Sequence, residues 1–329
     1  MYDPDQAPLA DAGLFGLPFT PDDARLVIVP VPWDATTSYR PGTSRGPDVI
    51  RAASHQLDLY DPELGEPWRA GIAMLPIPDD VRAWNAAART HAERVIEVGG
   101  RIDGDPALQA ALAEVNRASA RLDDRVHAEV SALLDRGKLV GVLGGDHSVP
   151  FGAIKAHAER GDFGILHVDA HADLREAYEG FTRSHASIMF NVLRELPAVT
   201  RLVQVGIRDL AVTEGKRIDG QRVITHFDAD LHDAPWRDTC RAIAAELPQR
   251  VYISFDIDGL DPALCPSTGT PVPGGLSFNQ ACALIRHVAQ AGKTIIGFDL
   301  NEVGPEEWDG NVGARVLYKL CGWALRSQA

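Results

Sequence analysis

Seven short apolar segments, rich in β-branched residues, recur along the chain with longer helical patterns between them. Each segment is hydrophobic throughout rather than at alternate positions, which is typical of strands that are buried on both faces of a sheet. The segments are residues 26–31, 139–143, 164–168, 202–205, 222–225, 251–255 and 294–298. Because strands and helices alternate, we predict a mostly parallel sheet that is covered by helices on both faces.

The 329-residue chain departs from this alternation in two places. Residues 1–24 contain four prolines, and we predict an N-terminal arm that lies on the surface or on a neighbouring subunit. Residues 25–329 are predicted to form a single domain. That domain has a helical excursion at about residues 79–136, which the turn-forming pair Gly99-Gly100 divides into two segments.

Composition and charge exclude several classes of protein. Hydrophobic residues make up 45% of the chain and charged residues 24%, the balance of a globular rather than a disordered protein. A net charge of −14 opposes binding to nucleic-acid phosphates or to an anionic membrane, so we expect neither partner. The first residues lack the features of a signal peptide, and no apolar run approaches the roughly 20 residues of a membrane span. We therefore expect a cytoplasmic protein.

Three of the predicted strands end in dense polar clusters. The clusters are Gly-Gly-Asp-His-Ser at 144–148, Asp-Ala-His-Ala-Asp at 169–173 and Asp-Ile-Asp-Gly-Leu-Asp-Pro at 256–262. Open parallel sheets bind ligands beyond the carboxyl ends of their strands, so we expect the three clusters to meet at one edge of the sheet. A spacing of two residues in extended backbone also places the paired acids of a cluster on the same side.

The paired acids indicate a metal centre, because carboxylates at this spacing repel one another unless a cation neutralises them. Oxygen ligands with a minority of imidazoles suit a divalent ion such as manganese, and the number of acids favours two ions over one. The candidate ligands are His147, Asp169, His171, Asp173, Asp256 and Asp258. In this interpretation Asp169 and Asp256 bridge the ions, and the other four complete the two sites as the pairs His147 with Asp173 and His171 with Asp258.

Together these motifs resemble those of the ureohydrolase family, which includes arginases and agmatinases, from about residue 26 to the C-terminus. The segment Pro-Gly-Thr-Ser-Arg-Gly-Pro at 41–47 is more similar to the agmatinase-like branch. The resemblance implies a three-layer α/β/α sandwich around an eight-stranded, mostly parallel sheet, with the six ligands forming a two-metal site. It also implies functional roles for His185, in Arg-Ser-His-Ala-Ser at 183–187, and for Glu302, in Asp-Leu-Asn-Glu-Val-Gly-Pro at 299–305.

The activity that this resemblance implies is metal-dependent hydrolysis of the guanidinium C–N bond of a small guanidino compound, which releases urea and an amine. We expect two divalent ions per subunit to activate water, with manganese as the expected metal and nickel as the alternative. We expect Glu302 to hold the guanidinium, Asp173 to accept a proton and His185 to deliver one to the leaving nitrogen. Because the family favours trimers and hexamers, we expect a homo-oligomer.

Several substrates stay open. Agmatine, which would give putrescine and urea, is expected first, and guanidine or a guanidino acid such as guanidinobutyrate are the alternatives. In the loop at 174–183, Glu176 and Glu179 are candidates to bind a distal ammonium group. Tyr178 and Phe181 are instead candidates to close a smaller pocket around guanidine. Two other hypotheses are a single-zinc hydrolase of similar fold and a catalytically silent guanidine-binding or regulatory subunit, which metal stoichiometry and urea release distinguish.

Overall fold

The computed structural model describes residues 3–7, 12–233 and 235–328, and a single sheet runs through the part that it describes. Its eight strands are β1 (Leu26–Val31), β2 (Ile72–Met74), β3 (Leu139–Gly144), β4 (Phe163–Val168), β5 (Val199–Ile207), β6 (Val223–Phe227), β7 (Arg250–Asp256) and β8 (Thr294–Asn301). They lie in the order β2-β1-β3-β8-β7-β4-β5-β6, and every neighbouring pair is parallel. The predicted parallel sheet is therefore confirmed.

Each of the seven predicted segments overlaps a strand, whereas β2 was not predicted. It has only three residues and pairs with β1 at the edge of the sheet, from Leu26 opposite Ile72 to Ile28 opposite Met74. Three residues are too few for a strand periodicity to be recognised, so this strand depends on its partner rather than on its own sequence.

Helices cover both faces of the sheet, as the continuous hydrophobicity of the strands requires. The helices are α1 (Gly46–Ser54), α2 (Asp79–Ile96), α3 (Pro106–Asp135), α4 (Phe151–Ala158), α5 (Ile188–Glu195), α6 (Val212–Gly215), α7 (Trp236–Glu246), α8 (Phe278–Gln290) and α9 (Glu307–Arg326). Helices α1, α7, α8 and α9 contribute to the hydrophobic core of one face, and α2 to α5 contribute to that of the other. The fold is the predicted three-layer α/β/α sandwich.

The side chains of strand β1 pack against both helical layers. Leu26 and Ile28 pack into the core beneath α1 and α9, whereas Val27 and Val29 pack into the core beneath α2 and α3. Successive side chains of a strand point to opposite faces, so an apolar residue is needed at every position. The central strands are fixed in register by apolar contacts on both sides, and their carboxyl ends are held at one edge.

The described part of the predicted N-terminal arm is partly internal. Leu14, Phe15 and Leu17 are at most 2% exposed and belong to the same core as α1 and α9. The ring of Phe15 packs edge-on against Tyr318 with ring centroids 5.0 Å apart. Residues 14–17 are therefore part of the core, and the expectation of a surface position is wrong for them because the sequence did not reveal this apolar contact.

The helical excursion consists of α2 and α3, which pack against each other and against the sheet layer. Asp105 caps α3 by accepting hydrogen bonds from the backbone N–H groups of Ala107 and Leu108, and Pro106 occupies the first helical position. The two helices form a helical hairpin, named so below. Among the described helices none combines the length and apolar character that a membrane crossing demands.

Candidate metal centre and active-site cavity

The candidate ligands and Glu302 follow four strands that are neighbours in the middle of the sheet, β3-β8-β7-β4. His147 comes shortly after β3, Glu302 directly follows β8, Asp256 ends β7 and Asp169 directly follows β4. Strands β7 and β8 come last in the chain but are inserted between β3 and β4. The topology therefore brings together residues that are far apart in sequence, at the edge where open α/β sheets bind ligands.

His147 lies at the centre of a first group of ligands. Its Nδ1 atom is 3.0 Å from Oδ2 of Asp169, 3.1 Å from Oδ2 of Asp256 and 3.3 Å from Oδ2 of Asp173. All four residues are at most 4% exposed. A single ring nitrogen has one proton to donate at most, so it cannot hydrogen-bond well to three carboxylates. The arrangement is that of ligand atoms converging on a cation.

His171 forms a second group with the other oxygen of Asp169. Its Nδ1 atom is 3.1 Å from Oδ2 of Asp258 and 3.4 Å from Oδ1 of Asp169. Asp169 thus presents one oxygen to each group, which is the geometry of a bridging carboxylate. Asp256 directs its Oδ2 at the first group and its Oδ1 accepts the backbone N–H of Asp258 at 2.8 Å, so its predicted bridging role stays a prediction. The structure brings all six candidates together, and their role as ligands stays a prediction.

These distances and charges fit a pair of divalent ions. Ligand atoms at right angles around an octahedral ion with bonds of about 2.1 Å lie about 3 Å apart, close to the separations within each group. Potential ligand atoms of His147, Asp169 and Asp173 lie within 4.8 Å of one another, as do those of the second group. The four aspartates carry four negative charges, which two divalent ions balance. The first group would hold one ion and the second group the other.

Burial makes this cluster unfavourable without positive charge. Burial raises the pKa of Asp173 to about 7, and the charge of Asp169 adds to that rise. Burial also raises the pKa of Asp256 well above its ordinary value, with Asp258 and Asp169 contributing. Burial alone would lower the pKa of His147, but its hydrogen bonds to the three aspartates raise the pKa well above the usual range. A bound cation would relieve this repulsion.

Ser254 and Asp299 orient His147. The Nε2 atom of His147 lies 2.9 Å from Oγ of Ser254, and that hydroxyl donates a hydrogen bond to Oδ1 of Asp299 at 3.0 Å. Because the hydroxyl of Ser254 donates its proton to Asp299, its oxygen is the acceptor toward His147. Nε2 of His147 must therefore carry a proton and donate it to Ser254. In the neutral ring that binds a metal, the lone pair is therefore on Nδ1, the atom that faces the carboxylates. Asp299 therefore affects the candidate metal centre indirectly, by orienting the ring of His147.

His167 and Gln204 hold Asp169 in the same way. Gln204 donates from Nε2 to Nδ1 of His167 at 2.9 Å and to the carbonyl of Ala172 at 2.8 Å. His167 therefore carries its proton on Nε2 and donates it to Oδ2 of Asp169 at 2.8 Å. His167 is not among the residues predicted from the sequence, although the spacing of two between Asp169, His171 and Asp173 extends back to it. No spacing pattern in the sequence indicates a role for Gln204, because it lies inside an apolar strand.

Two glycines of the motifs are required by close backbone approaches. A Cβ atom on Gly145 would collide with the carbonyl oxygen of Trp33, and one on Gly259 would lie 2.8 Å from the backbone nitrogen of Asp169. Neither contact leaves room for a side chain, because the obstructing atoms belong to the backbone. The glycines therefore let the loops after β3 and β7 approach their neighbours closely enough to form the cluster.

Glu302 lies beside the first group. It is 6% exposed, and its Oε1 accepts the backbone N–H of His147 at 3.0 Å. Burial raises the pKa of Glu302 well above its ordinary value, and the neighbouring Asp146 adds to the rise. A buried carboxylate in this state gains most from a cationic partner such as a guanidinium. Glu302 is not among the residues that line the adjacent cavity, and its predicted role in holding a guanidinium stays a prediction.

A cavity of about 390 Å³ opens onto the metal cluster. His171 and Asp173 form its floor, and Tyr178 and His185 form part of its wall, with their rings packed edge-on at 6.2 Å. Nδ1 of His185 is buried and makes no hydrogen bond within the described residues. Burial lowers the pKa of His185 to about 4, and the charge of His171 adds to that effect. The ring is therefore neutral near pH 7.

Glu176 does not reach the cavity. Its side chain is 72% exposed and forms an ion pair with Arg217, with Oε1 2.5 Å from Nη2. The predicted role of Glu176 in substrate binding is therefore not supported, because neighbouring residues in a loop point in different directions. Instead, Asp209 and Arg40 line the cavity. No hydrogen bond or ion pair engages the carboxylate of Asp209 within the described part of the chain, and Arg40 binds only the carbonyl of Pro266.

A parallel α/β/α sandwich with two histidine–aspartate groups at its strand ends defines the protein as a member of the α/β class with a candidate metal centre. The family model of the arginase family matches residues 24–322. The chain therefore belongs to the arginase family. This membership confirms the predicted ureohydrolase, an enzyme that hydrolyses guanidino C–N bonds.

Relatives of known name agree with this placement. The chain is 37% identical over 300 residues to an N(1)-aminopropylagmatine ureohydrolase of Thermus thermophilus, covering 89% of this chain and 87% of that protein. It is 33% identical over 309 residues to a guanidinobutyrase of Pseudomonas aeruginosa, covering 89% and 84%. Among solved structures, an agmatine ureohydrolase of Thermoplasma volcanium superposes with a TM-score of 0.73 at 26% identity, covering 98% and 95% of the two chains.

Proposed function

We propose that this enzyme is an agmatinase-like ureohydrolase whose substrate carries a guanidinium at one end and an ammonium at the other. The observation that carries the proposal is Asp209, which lines the cavity with a carboxylate that no cation engages within the described residues. Glu302 provides a second carboxylate beside the metal cluster and, unlike the exposed Asp209, is buried. Two acids, one by the cluster and one in the cavity wall, match the two charges of agmatine or of its aminopropyl derivative.

The residues of the chain divide the chemistry among them. Bound divalent ions would supply Lewis acidity and lower the pKa of water. Glu302 holds the guanidinium by charge-assisted hydrogen bonds, and Asp173 accepts the proton that attack on the guanidinium carbon releases. Because His185 is neutral near pH 7, it must receive a proton before it can deliver one to the departing amine, which makes it a proton carrier.

A guanidino acid is the second candidate, and Arg40 favours it. Arg40 lines the cavity without a carboxylate partner within the described residues, so it is able to bind a substrate carboxylate. Arg175 also lines the cavity, but its Nε atom is already 3.4 Å from Oε2 of Glu214. Guanidine itself is less favoured, since a cavity of about 390 Å³ leaves room for a chain beyond the guanidinium group.

A substrate screen with two matched variants decides between these candidates. Urea release is measured with agmatine, N(1)-aminopropylagmatine, guanidinobutyrate and guanidine for the wild type, Asp209→Asn and Arg40→Gln. We expect the two amines to be the better substrates and Asp209→Asn to lower their kcat/KM about tenfold, while guanidine turnover is unchanged. A preference for guanidinobutyrate that Arg40→Gln abolishes would replace the proposal. Metal-loaded protein that binds these compounds without urea release would indicate a silent subunit.

Three further properties belong to the proposal. Manganese is the proposed ion and nickel the alternative, since carboxylate and imidazole ligands accept both. Reconstitution of the apo-protein with each metal, followed by activity and metal analysis, distinguishes them and excludes a single-zinc enzyme if two ions bind.

A homo-oligomer of three or six subunits stays a prediction, which light scattering tests. The cytoplasmic location also stays a prediction.

A further inference from the structure

The cavity loop, defined here as residues 174–184, joins the metal ligand Asp173 to His185. Its tip is a tight turn in which Tyr178 and Phe181 exchange backbone hydrogen bonds of 3.2 and 2.9 Å. The two aromatic side chains leave this turn toward different environments. Tyr178 lines the cavity and packs against His185, whereas Phe181 is fully buried outside the cavity.

Phe181 is inserted between the helices of the helical hairpin. It forms one hydrophobic cluster with Ala92 and Val95 of α2 and with Ala111 and Val115 of α3. The cluster contains no residue of the sheet, so Phe181 is the apolar contact between the cavity loop and the hairpin. Complete burial of the Phe181 side chain removes its apolar surface from water, which favours this position of the loop.

Asn116 of α3 adds a polar clamp at the same turn. Its Oδ1 accepts the backbone N–H of Thr182 at 3.0 Å and the Thr182 hydroxyl at 3.3 Å, and its Nδ2 donates to the carbonyl of Gly180 at 3.3 Å. The backbones also approach closely, since a Cβ atom on Gly100 would lie 2.7 Å from Cα of Glu179. The side-chain amide therefore satisfies loop groups that would otherwise depend on water.

We infer that the helical hairpin is a positioning element for the active site, with Phe181 as its apolar anchor and Asn116 as its clamp. The inference rests on the proposed function, and it assigns the excursion of residues 79–136 a role in catalysis rather than in stability alone. Held from outside by the hairpin, the turn keeps Tyr178 against His185, and the ring of His185 stays directed at the cavity. Asn116 and Phe181 act through these two residues and do not touch substrate.

The decisive variant is Asn116→Ala, which removes the three clamp hydrogen bonds and leaves the hydrophobic cluster intact. A small displacement of a catalytic group lowers turnover strongly, so we expect kcat for agmatine to fall about tenfold with the metal content unchanged. Amide hydrogen exchange should become faster in residues 176–184 and stay unchanged in β4 and β7. Asn116→Asp keeps the acceptor for Thr182 and should restore part of kcat. Phe181→Leu, a milder change than Ala, should lower kcat in the same direction.

Gln109→Ala is the matched control, because Gln109 is exposed on α3 and its side chain makes no hydrogen bond within the described residues. It should leave kcat and exchange unchanged. The inference is overturned if Asn116→Ala lowers only the melting temperature, with kcat and the exchange of the cavity loop as in the wild type. If the wild type releases no urea from any guanidino compound, the proposed function fails by itself. The exchange of residues 176–184 then still decides whether the hairpin holds the loop.

Discussion

The backbone N–H of His147 donates a hydrogen bond of 3.0 Å to Oε1 of Glu302, which ties a predicted metal ligand to the predicted guanidinium-binding carboxylate. Glu302 has a φ of 60°, in the left-handed region that non-glycine residues rarely adopt. Its own N–H donates to the carbonyl of Gly145, and its carbonyl accepts the hydroxyl of Thr268. The loops after β3 and β8 thus fix this carboxylate beside the cluster at some cost in backbone strain.

Replacing Glu302 with Gln separates its charge from its structural hydrogen bond. The amide oxygen of Gln still accepts the N–H of His147, so the loop and the metal content should be retained. Loss of the charge should lower kcat/KM for agmatine about 100-fold, because a hydrogen bond between charged groups contributes roughly 1.5–3 kcal/mol. Steady-state kinetics with metal analysis of the same samples provide the measurement. Glu306→Gln, at an exposed neighbouring acid, is the control, and a normal kcat/KM in Glu302→Gln would remove Glu302 from substrate binding.

The two oxygens of Asp169 face different groups of ligands. We therefore expect substitutions of different aspartates to remove different numbers of metal ions. Asp169→Asn should lose both ions, because each group depends on one of these oxygens. Asp258→Asn should lose mainly one ion, since Asp258 contacts only the second group. Elemental analysis after dialysis measures the number of ions per subunit. Asp261→Asn, at an exposed acid of the same motif, should keep both ions, and equal losses in all three variants would contradict the bridging role.

Much of the site was predictable from sequence because its determinants are local. The spacing of two in Asp169, His171 and Asp173 is a property of extended backbone, and the apolar segments before the motifs identify parallel strands. Parallel strands present their carboxyl ends at one edge, so the meeting of the motifs followed without knowledge of the strand order. The order itself, with β7 and β8 inserted between β3 and β4, was not needed for that conclusion.

The rest depends on contacts between residues that are distant in sequence. Ser254 and Gln204 orient metal ligands from the interiors of strands, where the sequence shows only a polar residue among apolar ones. Asp209 follows β5, whose end is not marked by a recognisable motif. Glu176 lies in the cavity loop, but loop residues point in several directions and Arg217 binds its carboxylate. Sequence alone does not provide these directions.

His185 is expected to contribute to proton transfer and not to metal binding. It lines the cavity and is absent from both groups of ligands. His185→Asn should therefore lower kcat about 100-fold, within the usual contribution of general acid–base catalysis, and leave the ions in place. Added imidazole should restore part of the activity, which a purely structural loss would not allow. Gln109→Ala, at an exposed position of α3, is the control, and an active His185→Asn protein would exclude the proton-transfer role.

We expect His157, which lies outside the active site, to make the folded protein less stable at acidic pH. It is 3% exposed on α4, between the rings of Tyr252 and Phe163 at 5.4 and 6.4 Å, and its Nε2 has no hydrogen-bond partner within the described residues. Burial lowers its pKa to about 3, with the charges of Arg250 and Arg160 contributing. The unfolded chain therefore binds this proton more readily than the folded protein does. The stabilisation is complete above pH 6.5 and is lost as the pH falls toward 3.

Replacing His157 with Leu removes this titration while keeping an apolar side chain in the core. At pH 5 the free energy of unfolding of the wild type should be lower by about 2 kcal/mol because of His157, since each pH unit below 6.5 lowers it by about 1.4 kcal/mol. The fall in the free energy of unfolding between pH 7 and pH 5 should therefore be about 2 kcal/mol smaller in the variant. Urea denaturation of both metal-free proteins measures the difference, because the aspartates and histidines of the metal cluster contribute equally to the two. Equal pH dependence in the two proteins would show that His157 is protonated in the folded state.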